Sequence, residues 1–486
     1  MCAVLFQNEN IGSAISYEVT GLNPGTTYYY RVRAVLNSVT SGNSNVITVK
    51  PAVIWDGLAW SNTVGPDAST DAIIKGNFNT TDNGMFTAKS VTVNAGSLTV
   101  NSGKNITVVN GLINNLTANE VIIENNANLI QSGSTNLNSG EITVNRNSSA
   151  LKRLDYTLWS SPVSGQGLYA FSKTTLPNRF YKYDTATDKF SNEVGFNLTN
   201  LQYPSPLVAP NGVNGTDTNN VIFEAAKSYL IRTPWDHPTS ATVWNGVFKG
   251  TPNNGDITYE MNTGYNAVGN PYPSTINVTD FINANISPTA DNIDGTLWFW
   301  RKTNTTAVST SYATLTKTAY VANGAAGGDT GTGFFNAGNE ANWVISSGQG
   351  FIVNATNDAD LILNNGMRRA SNTDQFFKFD NQNNETKPDG IFWLNLMDNQ
   401  GIYSQMALGY DSKTTVNFDK GYDGLNFNKD YYLASLIGNE GYSIQSRQKF
   451  ESEDIVPLSY KVLTIGTYSI SIDHKTGIFN NGQAIY

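Results

Sequence analysis

Few residues in this 486-residue chain have the types and spacing that chemistry requires. Nucleophilic catalysis by Ser or Cys needs a base, normally His, and the two histidines are His237, in Trp235-Asp236-His237-Pro238, and His474, in Asp473-His474-Lys475. Both stand beside a loop or strand end, where a solvent-facing or turn-bonding role is expected, and no Gly-x-Ser-x-Gly elbow accompanies them. The single cysteine, Cys2, has no partner for a disulfide, and two histidines with one cysteine make no structural zinc set. Gly327-Gly328-Asp329-Thr330-Gly331-Thr332-Gly333 is rich in glycine but lacks the Gly-Lys-Ser/Thr of a phosphate loop, and it reads as a flexible loop. No sequence pattern nominates a carboxylate pair for glycoside hydrolysis, because the separation that matters there is spatial. Asp411, Asp419 and Asp423, with Gly421 and Gly424, form an acidic loop whose oxygens could hold Ca²⁺, though the spacing matches no EF-hand and a solvated turn is the favoured reading. No other cofactor is implied.

Aromatic residues offer the best binding chemistry. Sugar rings stack their apolar faces on Trp and Tyr while neighbouring polar groups take the hydroxyls. In Leu297-Trp298-Phe299-Trp300-Arg301 a strand would put Trp298 and Trp300 on one face and Phe299 on the other, and Tyr181 and Tyr183 hold similar places in Arg179-Phe180-Tyr181-Lys182-Tyr183. The competing role for all four is core packing between sheets.

The elements that carry these residues read as almost entirely β. Charged residues are only 14% of the chain, with 30 Lys and Arg against 39 Asp and Glu for a net charge of −9, a profile that suits exported β-proteins. No basic cluster is present to neutralise a row of phosphates, so nucleic acid is not an expected partner. No apolar run reaches the roughly 18 residues a spanning helix needs, so no transmembrane segment is expected.

Four regions follow one another. In residues 1–51 a Pro-Gly turn feeds a strand with alternating Tyr28, Tyr30, Val32 and Ala34. Residues 52–150 carry apolar pairs at Leu98/Val100, Val121/Ile123 and Ile142/Val144, 23 and 21 residues apart, while Ile106/Val108 and Leu129/Ile130 repeat a second face. That spacing suits a short parallel β-solenoid, whose coils stack like on like; a meander of hairpins is the alternative. Residues 151–375 read as two divergent copies of one β-unit, about 151–262 and 263–375. Leu158-Trp159-Ser160-Ser161-Pro162 opens the first copy and Lys227-Ser228-Tyr229-Leu230-Ile231 closes it; Val268-Gly269-Asn270-Pro271-Tyr272-Pro273 and Gln349-Gly350-Phe351-Ile352-Val353 do the same in the second. The one helical signal is a turn or two at residues 278–284. A polar linker around residues 371–388 leads to residues 388–486, where strands at roughly 8 to 15 residue spacing predict a jelly-roll-like β-sandwich.

Two resemblances add to this reading. Leu22, Pro24, Gly25 and Tyr28 resemble the tyrosine corner of fibronectin type III domains over residues 11–50. With only about twenty residues before that motif, the resemblance implies a partial domain, and the missing export signal then reads as belonging to a longer parent. From residue 151 onward the chain resembles the C-terminal regions of surface proteins that Flavobacterium-like Bacteroidetes export by the type IX secretion system. The phrases that carry this are Leu158-Trp159-Ser160-Ser161-Pro162-Val163, Gly269-Asn270-Pro271-Tyr272-Pro273-Ser274, Tyr422-Asp423-Gly424-Leu425, Leu436-Ile437-Gly438-Asn439-Glu440 and Gly466-Thr467-Tyr468-Ser469-Ile470-Ser471-Ile472-Asp473-His474. In that family the last phrase leads into a sorting region read by the secretion machinery, a region expected here to be incomplete. The resemblance implies a secreted or outer-surface protein, structural or adhesive and non-catalytic, with the secretion machinery, surface glycans or other surface proteins as partners. The alternative is the accessory region of a secreted polysaccharide-degrading enzyme whose catalytic domain lies elsewhere.

Overall fold

The computed structural model describes residues 9–193, 221–300, 312–322, 343–370, 389–398 and 403–486. Cys2, the glycine loop at 327–333 and the 371–388 linker lie outside them. The fold is almost all β.

Tyr28–Tyr30 pairs antiparallel with Ile47–Val49. The Tyr28 hydroxyl accepts a hydrogen bond from the Asn23 backbone N–H at 2.8 Å, tying the strand back onto the Pro24-Gly25 turn, where Gly25 takes a positive φ of 74°.

The solenoid makes about four turns. One face stacks Phe78–Asn79, Leu98–Val100, Val121–Ile123 and the start of Ile142–Leu151, all parallel, with Leu98 beside Val121 and Ile123 beside Val144. A second stacks Thr87–Ala88, Asn105–Val108 and Asn128–Gln131. The third stacks Val53–Trp55, Ala72–Ile74, Val91–Val93 and Leu112–Asn114, and its first two steps, 19 residues each (53 to 72 and 72 to 91), escape a search for 21- and 23-residue spacing. On the second face the inward pair is Leu129 and Gln131, not Leu129 and Ile130, because inward positions alternate. Polar positions stack too: Asn128 Nδ2 donates to Asn105 Oδ1 at 2.9 Å and Asn115 Nδ2 to Asn94 Oδ1 at 2.7 Å. Gly57, Gly76 and Gly96 form a column at one corner, where a Cβ on Gly76 would stand 2.4 Å from the Gly57 Cα. Trp55, Trp60, Phe78 and Phe86 close the first turn with edge-on or tilted ring contacts of 5.0–5.6 Å.

Strand Ile142–Leu151 ends the solenoid and begins the next module. Its first residues pair parallel with Val121–Ile123, and its whole length pairs antiparallel with Thr242–Pro252. A single buried core therefore runs from Trp55 through Val121 and Ile142 to Trp159, Phe180 and Phe248.

Beyond it, two sheets share one strand order. In the first, Tyr156–Trp159, Tyr229–Arg232, Phe180–Asp184 and Lys189–Asn192 are successive neighbours; in the second, Gly264–Gly269, Gly350–Ala355, Ile293–Trp300 and Tyr312–Leu315 are, followed by Tyr320–Val321. Reciprocal bridges join them, Trp159 to Gln349 and Lys227 to Val268, so each opening strand meets the closing segment of the other sheet. The helix Val278–Ile286, capped by the Asn277 side chain on the Asp280 N–H at 2.9 Å, covers one face of the second sheet. Asn270 and Tyr272 of the Asn-Pro-Tyr-Pro phrase are buried; Asn270 Nδ2 reaches the Ser274, Ile345 and Ser346 carbonyls, and the Tyr272 hydroxyl donates to Gly255 O at 2.7 Å. The buried Arg368 ties this sheet to the solenoid, donating to Ser274 Oγ, to Asn254 and Asn365 Oδ1, and to the Leu129 carbonyl.

The C-terminal region is rich in strands as its spacing predicts, but one mixed sheet makes the sandwich-like packing. Leu458–Lys461, Tyr432–Ile437, Glu440–Arg447, Tyr403–Tyr410, Gly390–Asp398 and Tyr468–Lys475 are successive neighbours, with Gly424–Leu425 also on Glu440–Arg447. The pairing of Tyr403–Tyr410 with Glu440–Arg447 is parallel, because residues 411–439 cross over between them. Trp393 anchors the sheet to the preceding module by donating its indole N–H to Tyr320 O at 2.8 Å.

Candidate ligand-binding face

Period-2 alternation divides each of the two related sheets into two faces. In the first sheet Trp159, Phe180, Tyr229 and Ile231 point into the solenoid core; in the second, Val268, Leu297, Phe299 and Phe351 point toward the Val278–Ile286 helix. The opposite faces form one apolar cluster in which Leu158 and Leu230 of the first sheet join Ala267, Trp298 and Ile352 of the second. All four aromatic candidates lie on it.

Their environments differ. Trp298 is buried, with Tyr265 at 5.4 Å and Phe427 of the C-terminal region at 5.5 Å between ring centroids. It packs as core and cannot stack on a ligand, which corrects its candidacy: the cause is Phe427, brought over the strand from a segment 129 positions away. Its indole N–H has no acceptor among the described residues. Trp300, Tyr181 and Tyr183 are only partly buried. Rings connect them in a row, Tyr183 to Phe190 at 5.0 Å, Phe190 to Trp300 at 6.2 Å and Trp300 to Tyr312 at 5.3 Å, the middle contact crossing from one sheet to the other. Tyr156 lies 5.9 Å from Tyr181. Tyr156, Phe190, Tyr265, Tyr312 and Phe427 were not foreseen, although Tyr156 and Tyr265 continue the alternation of Leu158 and Ala267 and were legible in it.

Tyr183 and Tyr265 stay protonated. Burial raises Tyr183, and the Asp188 carboxylate that accepts its hydroxyl adds to the effect. Tyr265 is pushed up to about 12 by burial, with the Asp294 and Asp188 charges reinforcing it. Next to Tyr181 the face turns basic: Arg179 Nη1 donates to the Tyr181 hydroxyl at 3.0 Å, and Arg232 is the direct cross-strand partner of Tyr156.

The acidic loop proves to be a set of turn acceptors. Asp411 Oδ1 takes the Lys413 N–H at 2.9 Å, Asp419 Oδ2 the Thr415 N–H at 2.6 Å, and the buried Asp423 takes the Asp419 and Ser446 N–H groups, each at 2.7 Å. Burial pushes the Asp423 carboxyl up to about 7, against the lowering effect of those N–H bonds. No cluster of three or more His, Cys, Asp or Glu able to hold a metal occurs among the described residues. Asp411, Asp419 and Asp423 thus each cap backbone N–H groups of their own loop or its neighbour strand. The histidines are also committed: the ring of His237, which is buried rather than solvent-facing, is 2.9 Å from Leu151 O, and His474 lies 2.7 Å from Asp473 and stacks on Trp393 at 3.9 Å.

No helix among the described residues is long and apolar enough to cross a membrane. No curated protein and no solved structure matches the chain. A family model described as Domain of unknown function (DUF8693) matches residues 54–486, beginning inside the first solenoid strand, and since that is most of its length the chain belongs to this family.

Proposed function

We propose that this chain is a non-catalytic structural or adhesive module of a secreted or surface-attached protein, exported by a type IX secretion system and carrying part of a fibronectin type III domain at its N-terminus. The observation that carries the structural part is the strand Ile142–Leu151, which belongs to the solenoid at one end and to the following module at the other, over a single hydrophobic core. A hinged linker would let two domains rotate; a shared strand and core transmit load and keep a binding face at a fixed distance from its anchor. Arg368 adds a second tie between the solenoid and the second related sheet. Surface location and export rest on the quoted sequence phrases and on the sparse charge of the chain. The Tyr28 hydroxyl bond to Asn23 supports the fibronectin-like corner.

Single-molecule pulling on the full chain tests the mechanical reading. The solenoid and the two related sheets are expected to rupture as one event, and Arg368→Met to split it into two at lower force. Separate low-force events in the unaltered chain would refute it. Surface labelling of native cells with and without a working type IX apparatus tests export.

A further inference from the structure

We propose that Arg232, Arg179, Tyr156 and Tyr181 form a binding site for an anionic polysaccharide, which continues along Tyr183 toward Trp300. The inference rests on the reading of the chain as a binding, non-catalytic module, and it names the ligand class. The register sets the argument. Tyr156 opposes Arg232, and Phe180 opposes Ile231, so the residue before Phe180, Arg179, falls beside Arg232. Tyr156 and Arg232, with Arg179 in the turn just ahead of strand Phe180–Asp184, thus form one row, on the same face as Leu158, Leu230 and Tyr181. Like charges on directly opposed strand positions destabilise a sheet, and a buried guanidinium normally has a carboxylate partner. Arg232 is 8% exposed. The charges and hydroxyls acting on it come from Tyr156, Arg179 and Tyr181, with no carboxylate among them, and burial together with Arg179 pulls its proton affinity down. Its Nε–H is buried and meets no acceptor among the described residues. In a chain of net charge −9, where acidic partners abound, a cation left in this state is a local conflict of the kind that functional sites retain.

An acid group resolves the conflict. Carboxylate and sulfate oxygens would supply the Arg232–Arg179 pair with the countercharge it lacks. The neighbouring rings suit the remainder of a sugar, with an apolar face for stacking and hydroxyls within reach of the tyrosine O–H groups. Tyr181 and Tyr183 are two residues apart on one strand, a step of about 7 Å, and Phe190 and Trp300 extend the row across the junction. A polymer laid along the strand meets ring after ring, which a small anion would not exploit.

The test is affinity electrophoresis of the full chain in gels carrying polygalacturonate, dextran sulfate or neutral dextran. Retardation by one or both anionic polymers, weakened by added salt and absent with dextran, is expected; the two acidic gels tell carboxylate from sulfate. Arg232→Gln should weaken retardation by about tenfold or more, and Arg232→Lys by less. Should Arg232→Gln not fold, hydroxyl-radical footprinting of the unaltered chain must show polymer-dependent protection of Tyr156 and Tyr181. Equal retardation in all three gels, none in any, or no protection of those tyrosines would overturn the site while leaving the load-bearing reading intact. Depolymerisation of a bound polymer would overturn the non-catalytic reading and leave the site in place.

Discussion

Replacing Trp298 separates a packing role from a ligand-binding one. The indole is buried between Tyr265 and Phe427, so Trp298→Ala removes a large side chain from a site whose neighbours come from two modules and cannot collapse freely. Such truncations cost about 3–5 kcal/mol. For a cooperative unit of about 150–250 residues each kcal/mol lowers Tm by roughly 2–4 °C, so a fall of about 6–20 °C is expected. Trp298→Phe should behave differently. It loses part of the ring but also removes an indole N–H that has no acceptor among the described residues, and relief of such a group is worth about 1–3 kcal/mol. The two effects oppose, leaving a net change within about 1 kcal/mol. Trp300→Ala, at a partly exposed position, should cost about 1–2 kcal/mol. Urea denaturation followed by circular dichroism, with differential scanning calorimetry, reads all three. A Trp298→Ala protein as stable as the parent, or a Trp298→Phe protein as weak as Trp298→Ala, would refute the packing argument.

Two further outcomes follow from the fold. Gly76→Ala places a Cβ 2.4 Å from the Gly57 backbone and should cost more than about 3 kcal/mol, whereas Gly103→Ala has open space and bears only a left-handed penalty of about 1–2 kcal/mol; equal melting temperatures would contradict the stacked corner. Burial raises Asp423 to about 7 and Asp294 to about 6, so both carboxyls hold protons in the fold that the unfolded chain releases near pH 4; their contribution to stability is full below that point and fades as pH rises toward 7. Tm should therefore climb between pH 7.5 and about pH 5, and Asp423→Asn should flatten the slope. A slope that survives the substitution would assign it to other groups.

Much of the scaffold was legible because strand and solenoid periods are local. Leu98, Val121 and Ile142 advertise coil length through side chains that must stack on their own kind, and Trp298, Phe299 and Trp300 advertise two faces through alternation alone. What alternation cannot state is which face another segment will cover. Phe427 made Trp298 core and left Trp300 at the margin, a choice set by how the C-terminal sheet docks. The arginine row was equally hidden, since Arg179 and Arg232 stand far apart in sequence and only the antiparallel register of three strands sets them side by side with Tyr156. Arg368 shows the same limit, joining the Leu129 carbonyl across 239 positions. The amino-acid order dictated periods, faces and the absence of a disulfide framework, because those depend on neighbours a few residues away. Tertiary structure alone decided coverage, charge juxtaposition and the fate of the acidic loop, because strand partners and docking are settled by the free energy of the whole chain.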